Sequence, residues 1–149
     1  MTINITSKWF AFILAPFVLL VVSQSVLASN VSKIDCEKAY STYEIEFCAA
    51  QERDVAIKKM RRYLIASYSQ YNDNSETVEA IKGSQQAWET YKRHNCDAVY
   101  TSWTTGSIRG LMSINCSTRL TRQRTHELWL NYLTYMDSTP PVLPEPLLD

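Results

Sequence analysis

The sequence predicts a small all-α protein: a disulfide-bonded bundle of three main helices with a short N-terminal helical turn at residues 35–40. After residue 30, apolar residues recur at steps of three, four and seven, which is the spacing of one helix face. The 149 residues include only 3 Gly and 5 Pro, and most of these fall between or outside the helical segments. All 4 Cys lie in this helical part. The length allows one compact domain.

Residues 1–28 are predicted to be a signal peptide. Lys8 supplies a positive charge, and an apolar run of about fourteen residues follows from Trp9 to Val22. This run is too short to span about 30 Å of hydrocarbon and has the length of a signal-peptide core. Val26 and Ala28 place small residues before a cleavage site after Ala28. The alternative is an uncleaved membrane anchor; cleavage predicts a periplasmic or secreted mature chain without membrane contact.

If the chain is exported, its four cysteines are expected to form disulfides, because an even number of cysteines in an oxidising compartment indicates disulfides. Four cysteines allow three pairings. We favour Cys36–Cys48 and Cys96–Cys116, since each pair flanks a short break between helical patterns. The rival interpretation is a zinc site that uses His94 beside Cys96. Neither pair has the two-to-four-residue spacing of zinc ligands, so we expect no metal, and no cofactor either.

The first long helix is predicted to begin near Thr42, because Ser41 and Glu44 have the spacing of a capping box. Asp54 interrupts its apolar face. We interpret Asp54 either as an edge residue paired with a basic neighbour or as a buried polar contact with another helix. The predicted apolar face consists of Tyr43, Phe47, Ala50, Ile57, Met60, Leu64, Tyr68 and Tyr71.

The second helix is predicted to run from about Glu76 to Tyr100, with Ser75 as its N-cap, and the third from about Leu111 to Met136. Between them, residues 101–110 are predicted to be irregular, because they hold two glycines and several Thr and Ser. The inward-facing residues are Val78, Ile81, Trp88, Tyr91 and Ala98 on the second helix, and Met112, Cys116, Leu120, Leu128, Tyr132 and Tyr135 on the third. The folded domain is predicted to be 29–136, followed by a mobile Pro-rich tail, 137–149.

Composition and motifs argue against several classes of function. A formal net charge of +0 gives no general attraction to phosphates, so we expect no nucleic-acid partner. No Gly-rich phosphate-binding string and no GxSxG nucleophile elbow is present. Bridged cysteines cannot act as nucleophiles, and His94 and His126 are interpreted as surface residues. We therefore predict that the protein is not an enzyme; catalysis by His94 or His126 ranks third among the functions considered.

A partner-binding surface is expected on the irregular segment, because a loop on a rigid, bridged scaffold is where binding sites concentrate. Trp103 is interpreted either as a contact residue or as core. Arg109 either reaches a carboxylate of a partner with its two-pronged guanidinium or is an ordinary surface charge. The candidate binding residues are Trp103, Thr104, Thr105, Gly106, Ser107 and Arg109.

A series of motifs occurs in one order along the chain: Asp35-Cys36, Cys48-Ala49, Gln85-x-Ala87-Trp88-x-x-Tyr91-x4-Cys96, a Gly106-Ser107 loop, and Cys116-x3-Leu120-Thr121-x2-Arg124-x3-Leu128. This series resembles the N-terminal domain of the LprI-like lysozyme inhibitor family of bacterial envelope proteins. The resemblance covers about Asp35 to Leu128. It implies a helical, disulfide-bonded fold and, for some members, binding and inhibition of lysozyme.

The chain departs from the family pattern at three places. Ala56-Ile57 and Met60-Arg61 stand where the family often has Ala-Asp and Leu-Asn, and Tyr91-Lys92-Arg93 stands where it often has Tyr-Arg-Asp. These changes leave the predicted scaffold intact, but they put a shared set of polar contacts in doubt.

Two functions remain. The first is an exported protein that binds a lysozyme or another muramidase and occludes it. Many lysozymes are basic with an acidic cleft, so an inhibitor gains from an acidic surface or from an inserted loop. The mature chain has 14 basic and 15 acidic residues, which favours the loop. The alternative is a structural or assembly module of the envelope that binds another protein, with Ser138–Asp149 as its docking segment.

Overall fold

The chain folds into three α-helices in a computed structural model, which describes residues 34–148. α1 spans Thr42–Gln70, α2 spans Ser75–Ser102 and α3 spans Arg109–Tyr132. The described residues contain no β-strand, so the prediction of an all-α fold is confirmed. The predicted signal peptide, 1–28, lies outside the described residues. None of the described helices is both long enough and apolar enough to cross a membrane.

α3 is the helix on which the other two pack. It runs parallel to α1, because Glu46 near the start of α1 contacts Leu111 near the start of α3, and Gln70 at the end of α1 contacts Tyr135 just after α3. α2 runs antiparallel to α3 and touches α1 only lightly. The α2–α3 loop, residues 103–108, and the start of α1 therefore lie at the same end of the bundle.

The start of α1 agrees with its prediction. The backbone N–H of Glu44 donates to Ser41 Oγ at 3.2 Å, and the backbone N–H of Ser41 donates to the Glu44 carboxylate at 2.9 Å. Asp54 accepts two hydrogen bonds from the exposed guanidinium of Arg53, the shorter at 2.8 Å. The edge interpretation of Asp54 is thus confirmed, and the buried contact with another helix is wrong.

The buried face of α1 differs from the predicted one. Tyr43 is 72% exposed, and Phe47 is also largely exposed. Met60 alone of the predicted stripe is fully buried, because α1 packs mainly on α3 with a neighbouring face that contains Ala56, Tyr63 and Ser67. The buried residues of α1 are Ala56, Met60, Tyr63 and Ser67.

The helix boundaries shift by a few residues from those predicted. Asn74 rather than Ser75 caps α2, because its side chain accepts from the backbone N–H of Thr77 at 3.0 Å. α3 begins at Arg109 and ends at Tyr132, earlier than the predicted Met136. It ends there because the chain reverses after Leu133, whose carbonyl accepts from Val142. The predicted helical turn at the N-terminus is a single hydrogen-bonded turn at residues 35–38.

The core consists of two clusters that meet at Trp88. The first centres on Met60, Tyr63, Leu128 and Leu133, and the second on the Cys96–Cys116 bridge with Leu120. Among the residues predicted to face inward on the second and third helices, three are instead exposed: Tyr91 at 55%, Ala98, and Tyr135 at 42%. Tyr91 and Ala98 lie outside the narrow face with which α2 covers α3, and Tyr135 lies beyond the end of α3 at Tyr132.

Both favoured disulfides are confirmed. Cys36 bonds to Cys48 with a sulfur–sulfur distance of 2.04 Å, and Cys96 bonds to Cys116 at 2.11 Å. The zinc interpretation is wrong for these cysteines, because no free thiol remains to ligate a metal. Residues 34–148 also contain no cluster of three His, Cys, Asp or Glu side chains that could hold a metal ion.

A buried polar network joins α2 to α3. The Arg124 side chain is only 7% exposed. Its Nε donates to Gln85 Oε1 at 3.1 Å and its Nη2 to Ser84 Oγ at 3.0 Å, while Nη1 pairs with the Glu127 carboxylate at 3.2 Å. Gln85 and Arg124 belong to two separate sequence motifs, so the structure shows that these motifs meet across one helix interface.

The C-terminal segment packs against the bundle. Trp129 Nε1 donates to the carbonyl of Leu143 at 2.9 Å, and the Tyr63 hydroxyl donates to the carbonyl of Pro144 at 2.6 Å. Leu143 packs on the first core cluster, and Pro146 is buried. The segment has no regular secondary structure, as the prolines predicted, but these contacts with α1 and α3 were not predicted.

Candidate protein-binding site

The α2–α3 loop is a pair of compact turns. The carbonyl of Trp103 accepts from the backbone N–H of Gly106 at 2.9 Å, and the carbonyl of Gly106 accepts from Arg109 at 3.4 Å. Gly106 does not have a positive φ, and a Cβ placed on it would lie 3.6 Å from the Trp103 ring, an ordinary contact distance. The loop is therefore held by backbone hydrogen bonds and by the Trp103 ring, and its conformation does not require a glycine.

Exposed aromatic and basic side chains lie together on this loop. The Arg109 guanidinium stacks over the Tyr100 ring, with its Cζ atom 4.8 Å from the ring centre. Arg109 has no ion pair with any residue of 34–148, so the guanidinium N–H groups remain available to an outside carboxylate. Trp103 is 39% exposed, Tyr100 40% and Ile108 36%. Trp, Tyr and Arg are the residue types that dominate binding energy at protein interfaces.

The loop is anchored to α1 by Glu46. α3 has no side-chain cap of its own, and Arg109 places a positive charge at the helix end where a negative charge is favourable. The Glu46 carboxylate supplies that charge and accepts from the backbone N–H of Leu111 at 3.1 Å. Gly110 makes room for it, because a Cβ at this position would lie 2.5 Å from Glu46 Oε1.

We expect the effects of substituting Glu46 and Gly110 to depend on each other. Glu46→Ala removes the cap and should lower the free energy of unfolding by about 1 kcal/mol. Gly110→Ala displaces the same carboxylate and should be neutral or destabilising in the wild-type chain. In the Glu46→Ala background, Gly110→Ala should instead stabilise by up to about 1 kcal/mol, since Ala favours helix over Gly. Urea denaturation of the four variants of this cycle measures the coupling; additive effects would contradict the anchoring role.

The structure places all six predicted binding residues on one surface. Thr104, Thr105, Ser107 and Arg109 are exposed, Trp103 is half-exposed and Gly106 is partly buried beneath the Trp103 ring. The role of these residues in binding stays a prediction. Sequence analysis missed Tyr100, which stacks with Arg109, and Glu46, which fixes the loop. Tyr100 had one available signal, its place at the predicted end of α2; for Glu46, 65 residues from Leu111, there was none.

Two other concave sites lie on the body of the bundle. A groove of about 480 Å³ beside the Cys36–Cys48 bridge is lined by residues of α1 and α3 and by Leu147. A smaller cleft of about 210 Å³ lies between Arg53 of α1 and Lys92 of α2. Burial lowers the pKa of Lys92, and the charges of Arg53 and Arg61 lower it further.

The two histidines do not form a catalytic pair. His94 is exposed on α2. His126 Nε2 lies 3.1 Å from a Glu145 carboxylate oxygen, and its ring packs on Trp129 with 5.3 Å between ring centres. His126 therefore helps to hold the C-terminal segment, as a residue that docks one part of the chain on another.

The fold and the loop define a class of small, disulfide-bonded helical proteins with an exposed aromatic and basic surface at one end. The family described as "Lysozyme inhibitor LprI" matches residues 35–128, and the chain belongs to this family. A relative, an uncharacterized protein of Rhizobium meliloti (strain 1021), is 29% identical over 105 residues, which cover 63% of this chain and 76% of the relative. No solved structure matches the chain. The family and the two disulfides are consistent with a location outside the cytoplasm.

Several residues of the motifs that resemble the family are buried between two helices, whereas one of the three departures from the pattern lies on the surface. Gln85, Cys96, Cys116 and Arg124 are buried, so the motifs describe the contact between α2 and α3. Tyr91, at the departure Tyr91-Lys92-Arg93, is largely exposed. These four motif residues thus belong to the buried contact between α2 and α3.

Proposed function

We propose that the chain is exported with cleavage after Ala28, and that the mature protein binds a muramidase and occludes its cleft with the α2–α3 loop. The observation that carries the proposal is the cluster of exposed Tyr100, Trp103 and Arg109 in and beside the α2–α3 loop, which Glu46 anchors at the start of α3. Family membership supports the partner class, since the family is one of lysozyme inhibitors.

The geometry favours insertion of a preformed loop. The internal turns of the loop, the Glu46 anchor and the stacking of Arg109 on Tyr100 reduce the conformational entropy that binding would otherwise cost. The Arg109 guanidinium can meet a carboxylate with two parallel hydrogen bonds, and lysozyme clefts carry catalytic carboxylates. Trp103 offers a rigid apolar surface beside it.

Replacing the loop's two largest contact residues should weaken binding without unfolding the protein. Trp103→Ala and Arg109→Ala are each expected to raise the dissociation constant at least about 30-fold, because interface hot spots contribute about 2 kcal/mol or more. Calorimetric titration of the mature protein into lysozymes of several classes, with a turbidity assay of cell-wall lysis, measures this. Tyr91→Ala, an exposed aromatic on the body of α2, is the matched control.

The expected result is a stoichiometric complex that loses affinity in the loop variants and keeps it in Tyr91→Ala. A complex of unchanged affinity in both loop variants would place the contact elsewhere. If no muramidase is bound at any ratio, the proposed function is wrong.

The alternative function assigns the C-terminal segment to partner docking. The contacts of this segment count against a freely available docking peptide, because residues 142–146 are held by three hydrogen bonds to Tyr63, Trp129 and Leu133 and by the contact of His126 Nε2 with the Glu145 carboxylate. In residues 147–148, the Leu147 and Leu148 side chains remain exposed.

Removal of the C-terminal segment should therefore destabilise the fold. Truncation after Asp137 removes the partly buried Leu143 and the buried Pro146, and we expect a loss of about 2 kcal/mol after the ordering entropy of the segment is counted. Truncation after Pro146 keeps every one of these contacts and should be neutral. Urea midpoints of the two truncated proteins distinguish a structural segment from a free tail, for which both truncations would be neutral.

A further inference from the structure

The whole chain has no net charge, but acidic and basic residues are unevenly distributed between residue 34 and the end of α1. Residues 34–47 carry four carboxylates against the single base Lys38, a net charge of −3. Residues 55–72 carry no carboxylate and four bases, a net charge of +4. The acidic residues are Asp35, Glu37, Glu44 and Glu46, and the basic ones are Lys58, Lys59, Arg61 and Arg62.

The two charge blocks act separately in solution. At 1.5 Å per helical residue, Glu44 and Glu46 lie roughly 20 Å from the middle of the basic block, about twice the screening length at 0.1 M salt. The four bases have no ion pair among the residues that the structure describes. At the acidic end, backbone hydrogen bonds from Ser41 and Tyr40 lower the pKa of Glu44 and keep it ionised. A charged partner therefore meets opposite signs of charge at the start of α1 and in its middle.

The acidic end is also the end that carries the loop. Glu46 bonds to the start of α3, and Tyr43 lies one helical turn before Glu46. Tyr40 is 94% exposed and Tyr43 72%, so two further exposed aromatic side chains lie at the same end of the bundle as the loop. The combined surface has acidic and aromatic residues on the α1 side and the single cation Arg109 on the loop.

We propose that residues 35–47 form the second half of the partner-binding surface, and that the charge gradient directs a cationic protein onto this end. The inference rests on the proposed function. Its pattern of charge fits a partner with an acidic cleft bordered by a basic rim: Arg109 meets the cleft, and the acidic residues meet the rim. Steering of this kind raises the rate of association. Steering depends on the positions of the charges. A net charge near zero for the mature chain therefore does not prevent it.

Two substitutions that change the total charge equally test the steering. Glu37→Lys reverses a charge at the acidic end, and Asp73→Lys makes the same change in the α1–α2 turn at the opposite end; both side chains are exposed. Stopped-flow association of the mature protein with a basic c-type lysozyme at low salt is the measurement. We expect Glu37→Lys to slow association by about fivefold or more and to flatten its salt dependence, and Asp73→Lys to change it less than about twofold.

A second pair of variants tests the contact itself. Tyr43→Ala should speed dissociation by about tenfold or more, as expected for a contact aromatic, while the matched Tyr91→Ala should leave it unchanged. Equal association rates for Glu37→Lys and Asp73→Lys, or unchanged dissociation in Tyr43→Ala, would overturn the inference while the loop-binding function stands. If the wild-type protein does not bind, the proposed function fails, and this inference fails with it.

Discussion

Removing the Cys96–Cys116 bridge should be the most damaging change to the fold, with an expected loss of about 4 kcal/mol in the free energy of unfolding. The bridge closes a loop with a sequence separation of 20, which in the chain-entropy model is worth about 3 kcal/mol. Both half-cystines are buried within the second core cluster, so replacement by Ala also leaves a small cavity. A loss of this size is comparable with the roughly 5–15 kcal/mol that stabilises an ordinary domain.

The Cys36–Cys48 bridge is the internal comparison. Its sequence separation is 12, so the entropic contribution is nearly the same, but Cys36 is exposed and Cys48 only partly buried. Double Cys→Ala variants of each bridge, unfolded in urea and followed by circular dichroism, should rank Cys96–Cys116 as the more stabilising. Equal losses would mean that burial of the half-cystines contributes nothing measurable.

Arg124→Ala is expected to lower the free energy of unfolding by about 2–4 kcal/mol. The substitution leaves Gln85 Oε1 without its donor in a buried site and removes the aliphatic part of a side chain that is only 7% exposed. An unpaired buried polar group costs about 1–3 kcal/mol, and the lost packing adds to it. Glu127 is half-exposed, so its carboxylate can return to water and does not add the cost of an isolated buried charge.

Arg119→Ala on the same helix is the matched control. Its guanidinium is exposed and, among residues 34–148, bonds only to Gln123 at 3.3 Å, so we expect a change within about 0.5 kcal/mol. Arg124→Lys keeps the charge but loses the planar fork that reaches Ser84 and Gln85 together, and it should recover only part of the loss. Thermal or urea unfolding of the three variants decides the point; a tolerated Arg124→Ala would mean that the network contributes little.

Structural features that depend on residues close together in the sequence were predicted well. The capping box of Ser41 and Glu44 depends on residues three apart, and the helical segments depend on apolar spacing; both are present in the structure. The disulfide pairs were also predicted, because each bridges a break between helical segments that are neighbours along the chain. All of these features need only the order of residues within a short stretch.

Features that depend on how helices are oriented could not be predicted in the same way. The spacing of Tyr43 and Phe47 indicates a stripe, but it does not say which stripe of α1 meets α3. Docking of the C-terminal segment depends on carbonyl groups of Leu143 and Pro144 meeting side chains from two helices, and proline-rich composition gives no sign of such partners. The Glu46 anchor is a third case, since a carboxylate that caps another helix leaves no local pattern.

The candidate site was predicted in part for the same reason. Irregular composition located the loop and its six residues, which lie next to each other in sequence. The acidic and aromatic residues at the start of α1 were interpreted as helix cap and core, because their distance from the loop in sequence hides their nearness to it in space. Summed charge over the whole chain also concealed the opposite signs of its two parts.

The path of the C-terminal segment affects how the protein should be labelled. Leu147 lines the groove beside the Cys36–Cys48 bridge, so a fluorescent reporter or affinity tag fused to the C-terminus would emerge close to the first turns of α1 and could shield them. The Asn72–Asn74 turn lies at the opposite end of the bundle and its side chains are exposed. A tag inserted there would leave the loop-bearing end unobstructed for immobilisation and imaging.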